Sequence, residues 1–203
     1  PLLWRVFYLN SILYRLKFII QHPRLIGQVL ASQRRRPEEA DARQREVLPW
    51  FFRHVGYYEF LRSQARPDEV LVFDEGFVHR VVQLYSSSVE RPDAAQIAAY
   101  VDLAPPPDLI IFVQASLSIC QDRVYERGLW QRVQHKEPAE ISQFIDHAHR
   151  AVELAVAHAR SKEWVVLEVA NDGDDLTAVK SNLRQQLVRL LLGNRQAEGV
   201  QIA

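Results

Sequence analysis

Three short apolar segments constrain the fold of this chain more than any other feature. They are VLVF at residues 70–73, LIIFVQ at 109–114 and WVVLEV at 164–169. Each is rich in β-branched residues and apolar at successive positions, a pattern that predicts a buried parallel strand. Stretches with helical spacing separate the three segments. This alternation predicts an α/β fold, with a parallel sheet flanked by helices, in a single domain over residues 1–203.

The overall composition excludes several classes of protein. Hydrophobic residues make up 48% of the 203 residues, which is enough for a sizeable core. The 25 Lys and Arg residues balance 25 Asp and Glu residues, so the charge gives no case for nucleic-acid binding. Cys120 is the one cysteine, which excludes an intramolecular disulfide and a cysteine-ligated metal cluster. The single cysteine fits a reducing environment, so we expect a cytoplasmic protein.

The first twenty residues are apolar enough to raise the question of a membrane. Arg5, Arg15 and Lys17 interrupt the run, and charges are costly inside a bilayer. Seven apolar residues recur at helical spacing: Leu2, Leu3, Val6, Leu9, Leu13, Leu16 and Ile20. The spacing predicts an amphipathic helix packed on the core, with a helix in a membrane interface as the alternative. We therefore do not expect a membrane partner. A homodimer is compatible with the sequence.

Two carboxylates, Asp74 and Glu75, follow directly on the first apolar segment. In open parallel sheets, ligands bind beyond the carboxyl ends of the strands. A carboxylate there can hold magnesium through water or accept a proton from a substrate hydroxyl, and Gly76 lets the backbone come close to a ligand. The alternative is that Asp74 or Glu75 caps a helix that starts near Phe77.

A pair of arginines ends the helix predicted after the second apolar segment. Arg123 and Arg127 are four residues apart and share one helix face, and their planar guanidinium groups suit phosphate oxygens. After Gly128 the chain becomes polar and includes Arg132, so residues 129–139 are a candidate lid over a phosphate. The alternative is that the arginines are solvated and pair with the neighbouring acids Asp122 and Glu126.

Three passages together resemble a known family of enzymes. The passage PDLIIFVQASLSICQDRVYERG, residues 107–128, is similar to the strand, helix and Arg-x-x-x-Arg-Gly of thymidylate kinases and related P-loop nucleotide and nucleoside kinases. VLVFDEG, residues 70–76, matches in position their strand that ends in a carboxylate. WVVLEVANDGDDLTAV, residues 164–179, resembles their last strand, the loop near the adenine and the last helix. The resemblance spans residues 65–192 and rests on order and spacing.

The resemblance implies a P-loop kinase-like fold that uses ATP and Mg²⁺. Asp74 would be the base or the ligand of a magnesium-bound water, and Glu75 would support it. Three arginines would neutralise the transferring phosphoryl group: Arg123, Arg127 and Arg132. The loop that borders the adenine would consist of Asn171, Asp172 and Gly173. The acceptor would contact the helical region at residues 40–65.

The sequence departs from this family at two places. Thymidylate kinases place an arginine straight after the strand-ending aspartate, where this chain has Glu75 and Gly76. No Gly-x-x-x-x-Gly-Lys-Ser/Thr occurs, although this loop cradles phosphates through its backbone N–H groups. We therefore expect the N-terminal strand and its phosphate loop to be missing from the given sequence, and the sheet to be incomplete at that end.

The function predicted from these features is an ATP-dependent phosphotransferase, a kinase, acting on a small acceptor such as a nucleoside or nucleotide. One alternative is a non-catalytic binding module that keeps the P-loop fold. Another is a sulfotransferase-like enzyme, which also uses arginines to bind a phosphorylated donor.

Overall fold

The protein is described by a computed structural model that covers residues 2–34, 46–131, 133–173 and 176–197. Over these residues the fold is mixed α/β, mostly helical, with one two-stranded parallel sheet. The helices are α1 (Leu2–Gln21), α2 (Pro23–Arg34), α3 (Leu48–Gln64), α4 (Val81–Tyr85), α5 (Ala94–Leu103), α6 (Leu117–Arg127), α7 (Pro138–Ser161) and α8 (Leu176–Ala197). The strands are β1 (Ile110–Gln114) and β2 (Val166–Ala170).

The chain divides into two compact units. The first unit comprises Pro1–Pro105 and Leu129–His158, and the second comprises Pro106–Gly128 and Ala159–Ala203. The first unit is helical over its described residues, whereas the second contains both strands.

Aromatic packing holds α1 and α3 together in the core of the first unit. The Phe18 ring is fully buried and stacks on the Phe77 ring, with 5.6 Å between the centroids. Tyr58 of α3 meets the same Phe77 ring edge-on at 4.9 Å. Such pairs contribute roughly 0.5–1.5 kcal/mol each beyond the area that they bury. Phe77 is therefore held from two helices.

A buried carboxylate also joins α1 and α3. Glu59 has no exposed side-chain area and lies 2.7 Å from Lys17 Nζ and 3.2 Å from Arg62 Nη2. Burial acts to raise the pKa of Glu59, but hydrogen bonds from Arg62 and Lys17 outweigh it, so the pKa is lowered. The carboxylate therefore stays charged inside the unit because two cations hold it.

Helix α5 fixes the backbone of Phe77. Asp93 caps α5 by accepting hydrogen bonds from the N–H groups of Ala95 at 2.8 Å and Gln96 at 3.3 Å. The buried Tyr100 hydroxyl of α5 donates to the Phe77 carbonyl oxygen at 3.0 Å. These contacts fix the chain three residues after Asp74.

The sheet of the second unit pairs β1 and β2 in parallel, with Ile110 opposite Val166 and Gln114 opposite Ala170. This confirms the strands predicted at 109–114 and 164–169, and the predicted parallel pairing. Burial differs between the two strands: Leu167 and Val169 of β2 are buried, whereas Val113 of β1 is 52% exposed. β2 is thus buried on one face only, and no residue of β1 is fully buried, so the prediction of buried strands is correct only for one face of β2.

The strand predicted at residues 70–73 is wrong. These residues form no strand, and Val72 is 80% exposed. A strand needs a neighbouring strand to satisfy its backbone hydrogen-bonding groups. Within the described residues, β1 and β2 pair only with each other, so residues 70–73 have no strand partner there. The helix expected to start near Phe77 begins later, because turns occupy residues 77–80 and α4 covers Val81–Tyr85.

The prediction for α1 is correct about the helix and wrong about the burial of the three stripe residues whose side chains the structure describes; the side chains of Leu2, Leu3, Val6 and Leu9 lie outside the described part. Phe18 is the fully buried residue of its described side chains, whereas Leu13, Leu16 and Ile20 are exposed. The large aromatic ring packs in the core, and this turns the leucine stripe outward. No helix in the described parts of the chain is long and apolar enough to cross a membrane.

Candidate functional site

Residues 74–76, which we call the acidic turn, follow the exposed segment 70–73. Asp74 is exposed and has no hydrogen bond or ion pair with any other described residue. The turn closes after it, where the N–H groups of His79 and Arg80 donate to the Gly76 carbonyl oxygen at 3.1 and 3.3 Å. A Cβ at Gly76 would meet nothing within 4 Å, so the turn borders open space.

Neither carboxylate of the acidic turn caps a helix. Helix α4 begins at Val81, and its N-cap residue is Arg80, without a side-chain capping hydrogen bond. The structure therefore disfavours the alternative in which Asp74 or Glu75 serves as a helix cap.

Glu75 is bound to a buried arginine. Its Oε2 lies 2.8 Å from Arg80 Nη1, and the Arg80 side chain is only 11% exposed. Gln83 Oε1 accepts from the same Nη1 at 3.0 Å. Burial lowers the pKa of Arg80, and the Glu75 carboxylate opposes that shift. Glu75 therefore compensates a buried charge, while Asp74 stays open to solvent.

His54 of α3 completes the surroundings of Arg80. Its Nδ1 lies 3.3 Å from Arg80 Nη2. Burial, with a smaller contribution from the Arg80 charge, lowers the pKa of His54 to about 3. The imidazole is therefore neutral near pH 7, and its Nδ1 can accept the hydrogen bond from the guanidinium. Burial also lowers the pKa of His79, the residue before Arg80.

The sequence reasoning missed Arg80 and His54. A signal for Arg80 was present, because it stands five residues after Glu75 in the same short passage, DEGFVHR. His54 lies 26 positions from Arg80 in sequence, so spacing could not have connected the two residues.

At the carboxyl ends of β1 and β2, four residues form what we call the strand-end clasp: Ser116, Arg123, Asn171 and Asp172. The Asn171 N–H donates to the Gln114 carbonyl oxygen at 2.7 Å and extends the pairing of the strands. The Ser116 N–H donates to Asp172 Oδ1 at 2.5 Å, and this hydrogen bond lowers the pKa of Asp172. Arg123 Nη1 donates to the Asn171 carbonyl oxygen at 3.0 Å. The clasp thus binds the loop after β2 to the turn after β1.

The two predicted arginines of α6 have different surroundings. Arg123 is half-buried in the strand-end clasp. Arg127 is exposed at the last position of α6 and makes no hydrogen bond or ion pair with another described residue. The predicted pairing of the arginines with Asp122 and Glu126 is therefore absent among the described residues. Gly128 follows with φ = 90°, a left-handed conformation that favours glycine.

The candidate lid at 129–139 is partly anchored within the first unit. Val133 is 3% exposed, and Lys136 Nζ lies 3.2 Å from Glu140 Oε1. Trp130 meets the Phe144 ring edge-on at 6.1 Å. Arg132, which we predicted to contact phosphate, lies outside the described residues.

The surroundings of Asp74 are compatible with one kind of magnesium binding. No group of three or more His, Cys, Asp or Glu residues within the described residues could hold a metal ion. Mg²⁺ keeps several waters and commonly uses only one or two protein carboxylates together with substrate phosphates. An exposed, unpaired Asp74 fits a site in which waters and substrate phosphates supply the other magnesium ligands. It does not fit a site in which protein side chains supply all the ligands.

The structure brings some predicted site residues together. Arg123, Asn171 and Asp172 meet in the strand-end clasp of the second unit, and Gly173 follows them, exposed. Asp74 and Glu75 belong to the first unit. Comparison of the chain with protein-family models, with curated proteins and with solved structures gives no match.

Proposed function

We propose that the protein is an ATP-dependent phosphotransferase that acts on a small acceptor, such as a nucleoside or nucleotide. The observation that carries the proposal is the contrast within the acidic turn, where Glu75 is paired to Arg80 and Asp74 is exposed and unpaired. A carboxylate that serves substrate or metal must not already be neutralised by the protein. Asp74 meets this condition and Glu75 does not.

In this proposal Asp74 accepts the proton of the acceptor hydroxyl or holds a magnesium-bound water. Magnesium supplies charge neutralisation for the phosphate oxygens. Glu75 acts indirectly, because its ion pair with Arg80 fixes the turn that carries Asp74. No step requires Glu75 to contact the substrate.

Two arginines take separate roles. Arg127, exposed and without an acidic partner among the described residues, would stabilise the charge of the transferring phosphoryl group. Arg123 holds the Asn171 carbonyl, so its role is to position the loop at residues 171–173 against the adenine. Arg132 remains a predicted phosphate contact.

The carboxyl ends of two parallel strands support the same proposal. Ligands of open parallel sheets bind at this edge, and here the clasp residues lie directly after both strands. The loop at residues 171–173 follows β2 directly, so in this proposal it borders the adenine.

The test is the turnover of Asp74→Asn in the complete chain that carries these residues, measured as magnesium-dependent ADP release with nucleosides and nucleotides as acceptors. Asparagine is nearly isosteric but is a poor base, so we expect turnover to fall about 100-fold or more, with an unchanged melting temperature. Asp68→Asn, on an exposed side chain, is the matched control and should keep its rate. Near-normal turnover of Asp74→Asn would exclude Asp74 from the site. Nucleotide binding without any turnover in the wild type would favour the non-catalytic module.

A further inference from the structure

Helix α1 presents an apolar stripe to solvent. Leu13, Leu16 and Ile20 are spaced three and four residues apart, so they lie along one side of the helix. Their exposed fractions are 63%, 50% and 77%. A single exposed apolar residue is ordinary, but three in a row along a helix indicate a surface that contacts something else.

The stripe continues into a groove between α1 and the beginning of α3. The groove encloses about 510 Å³, and its apolar lining comes from Ile12, Leu16 and Ile19 of α1 and from Leu48, Pro49 and Phe52 of α3. Arg15 also lines it, and the Arg15 Nε is buried without a hydrogen-bond partner among the described residues. The groove therefore combines apolar walls with one guanidinium that lacks a full set of acceptors.

Amphipathic aromatic residues extend the same surface along α3. Trp50 and Tyr57 are each about half exposed. The Arg53 guanidinium lies over the Trp50 ring, 4.9 Å from its centroid. Trp and Tyr side chains with one apolar and one polar end are enriched at the interface between lipid and water.

The first three helices carry a net positive charge. Helices α1, α2 and α3 carry one acidic residue, Glu59, which is buried against Lys17 and Arg62. Glu46 stands before α3. The same helices carry seven basic residues: Arg5, Arg15, Lys17, Arg24, Arg34, Arg53 and Arg62. Because the whole chain is neutral, its positive charge is concentrated in these helices.

We propose that α1 and α3 dock on an anionic membrane surface, with the stripe of Leu13, Leu16 and Ile20 at the boundary of the acyl chains. Apolar insertion and attraction between basic residues and anionic lipids strengthen each other at such a surface. The helices lie on the membrane and do not cross it. A second copy of the chain would bring two basic surfaces together and is disfavoured by like-charge repulsion. This proposal goes beyond the phosphotransferase proposal and does not depend on it.

The test is sedimentation of the full chain with vesicles of phosphatidylcholine alone or mixed with phosphatidylglycerol. We expect binding to the mixed vesicles to be at least about ten-fold tighter, and to weaken as salt rises from about 0.05 to about 0.5 M. Ile20→Glu should weaken binding by about ten-fold or more, because it places a charge in the inserted stripe. Arg53→Gln, on the exposed side of α3, should weaken it by about five-fold, since one basic residue near such a surface contributes about 1 kcal/mol.

Val89→Glu is the matched control, because Val89 is an exposed apolar residue of the same unit, on a segment outside α1 and α3. It should bind vesicles like the wild type. The proposal is overturned if the mixed vesicles bind no better than phosphatidylcholine, or if Ile20→Glu and Val89→Glu behave alike. A third outcome also overturns the proposal: the wild-type chain binds no vesicles but self-associates, and Ile20→Glu abolishes this self-association. A second copy of the chain would then cover the stripe.

Discussion

The acidic turn and the strand-end clasp each follow an apolar, β-branched segment, yet only one of the two segments forms a strand. Residues 110–114 pair with Val166–Ala170, and the clasp residues are held by the ends of that pair. Residues 70–73 have no strand partner within the described residues, and Val72 is largely exposed. The contrast teaches that apolar composition alone does not make a strand, because the backbone needs a neighbour with unsatisfied hydrogen-bonding groups.

The two regions also hold their functional groups in different ways. The clasp is built on the end of a strand pair, where the Asn171 N–H bonds the Gln114 carbonyl oxygen and two side chains, those of Asp172 and Arg123, bond backbone groups. Within the described residues the acidic turn has no strand beneath it, and its support is the side-chain cluster of Glu75, Arg80 and His54. Polar side chains at the turn thus replace the support that a sheet gives to the clasp. The predictions below address each kind of support, beginning with the largest expected effect.

The largest effect is expected from Arg127→Ala, which tests the exposed arginine at the end of α6. If Arg127 meets phosphate charge as transfer proceeds, kcat should fall by roughly 30- to 1,000-fold, about 2–4 kcal/mol, with little change in ground-state binding. Lysine should rescue only part of the rate because it lacks the planar fork. Steady-state kinetics measures both, and unchanged turnover would remove Arg127 from the site.

Arg123→Ala is the companion variant to Arg127→Ala. It removes the hydrogen bond to the Asn171 carbonyl and should mainly raise KM for ATP, because the loop at 171–173 loosens. If both variants change kcat and KM in the same way, the prediction that the two arginines have separate roles is wrong.

The support behind the acidic turn is tested by a double-mutant cycle of Glu75→Gln and Arg80→Met. Arg80 is buried and Glu75 half-exposed, so Arg80→Met should lower the free energy of unfolding by about 2–3 kcal/mol, less than for a fully buried pair. The coupling energy should exceed about 1 kcal/mol. Arg66 and Glu69 form an exposed control pair, whose coupling should stay below about 1 kcal/mol in urea unfolding. Equal coupling in the two pairs would contradict the role of Arg80.

The pH dependence of stability tests His54. Its pKa is about 3 in the folded protein and about 6.5 in the unfolded chain, so between these values the unfolded chain binds a proton that the folded protein does not. The stability contribution is therefore complete above about pH 6.5 and is lost as the pH falls. Between pH 7 and 5 it should decline by about 2 kcal/mol.

His54→Gln should make this decline smaller by about 2 kcal/mol, because glutamine can accept from Arg80 but does not titrate. A smaller decline remains, because burial also lowers the pKa of His79. His135→Gln, which removes an exposed imidazole, should keep the wild-type profile in urea unfolding at both pH values. An undiminished decline in His54→Gln would place the titrating group elsewhere.

The smallest effect is expected from Val72→Ala in the exposed segment. With 80% of Val72 exposed, the free energy of unfolding should change by less than about 0.5 kcal/mol. Val169→Ala, in the buried face of β2, should cost about 2 kcal/mol. A large loss on Val72→Ala in thermal unfolding would show that residues 70–73 are buried in solution.

The sequence predicted most of the local structure, because local signals decide it. The strands at 110–114 and 166–170 and the helix that ends before Gly128 follow from spacing and residue type. The exposure of residues 70–73 could not be predicted, because it depends on whether a partner strand is present. The outward stripe of α1 could not be predicted either, because a stripe of leucines and a single aromatic, Phe18, compete for the core.

The candidate site shows the same limit. The carboxylates and arginines could be found from their place after apolar segments, but their partners could not. Arg123 contacts a carbonyl 48 positions away, and His54 meets Arg80 across 26 positions. Spacing along the chain carries no signal at such separations, so the pairing of Glu75 with Arg80, and the absence of such a pair at Asp74 among the described residues, became visible only in the structure.

Amide hydrogen exchange of the full chain tests most directly whether the two apolar segments differ in pairing. The Ile110 and Asn171 amides donate to carbonyl oxygens at 2.9 and 2.7 Å, so we expect slow exchange there. The Leu71, Val72 and Phe73 amides have no partner among the described residues and should exchange at nearly unprotected rates. Protection of residues 71–73 comparable to that of Ile110 would contradict the contrast, because it would show that this segment is paired as a strand.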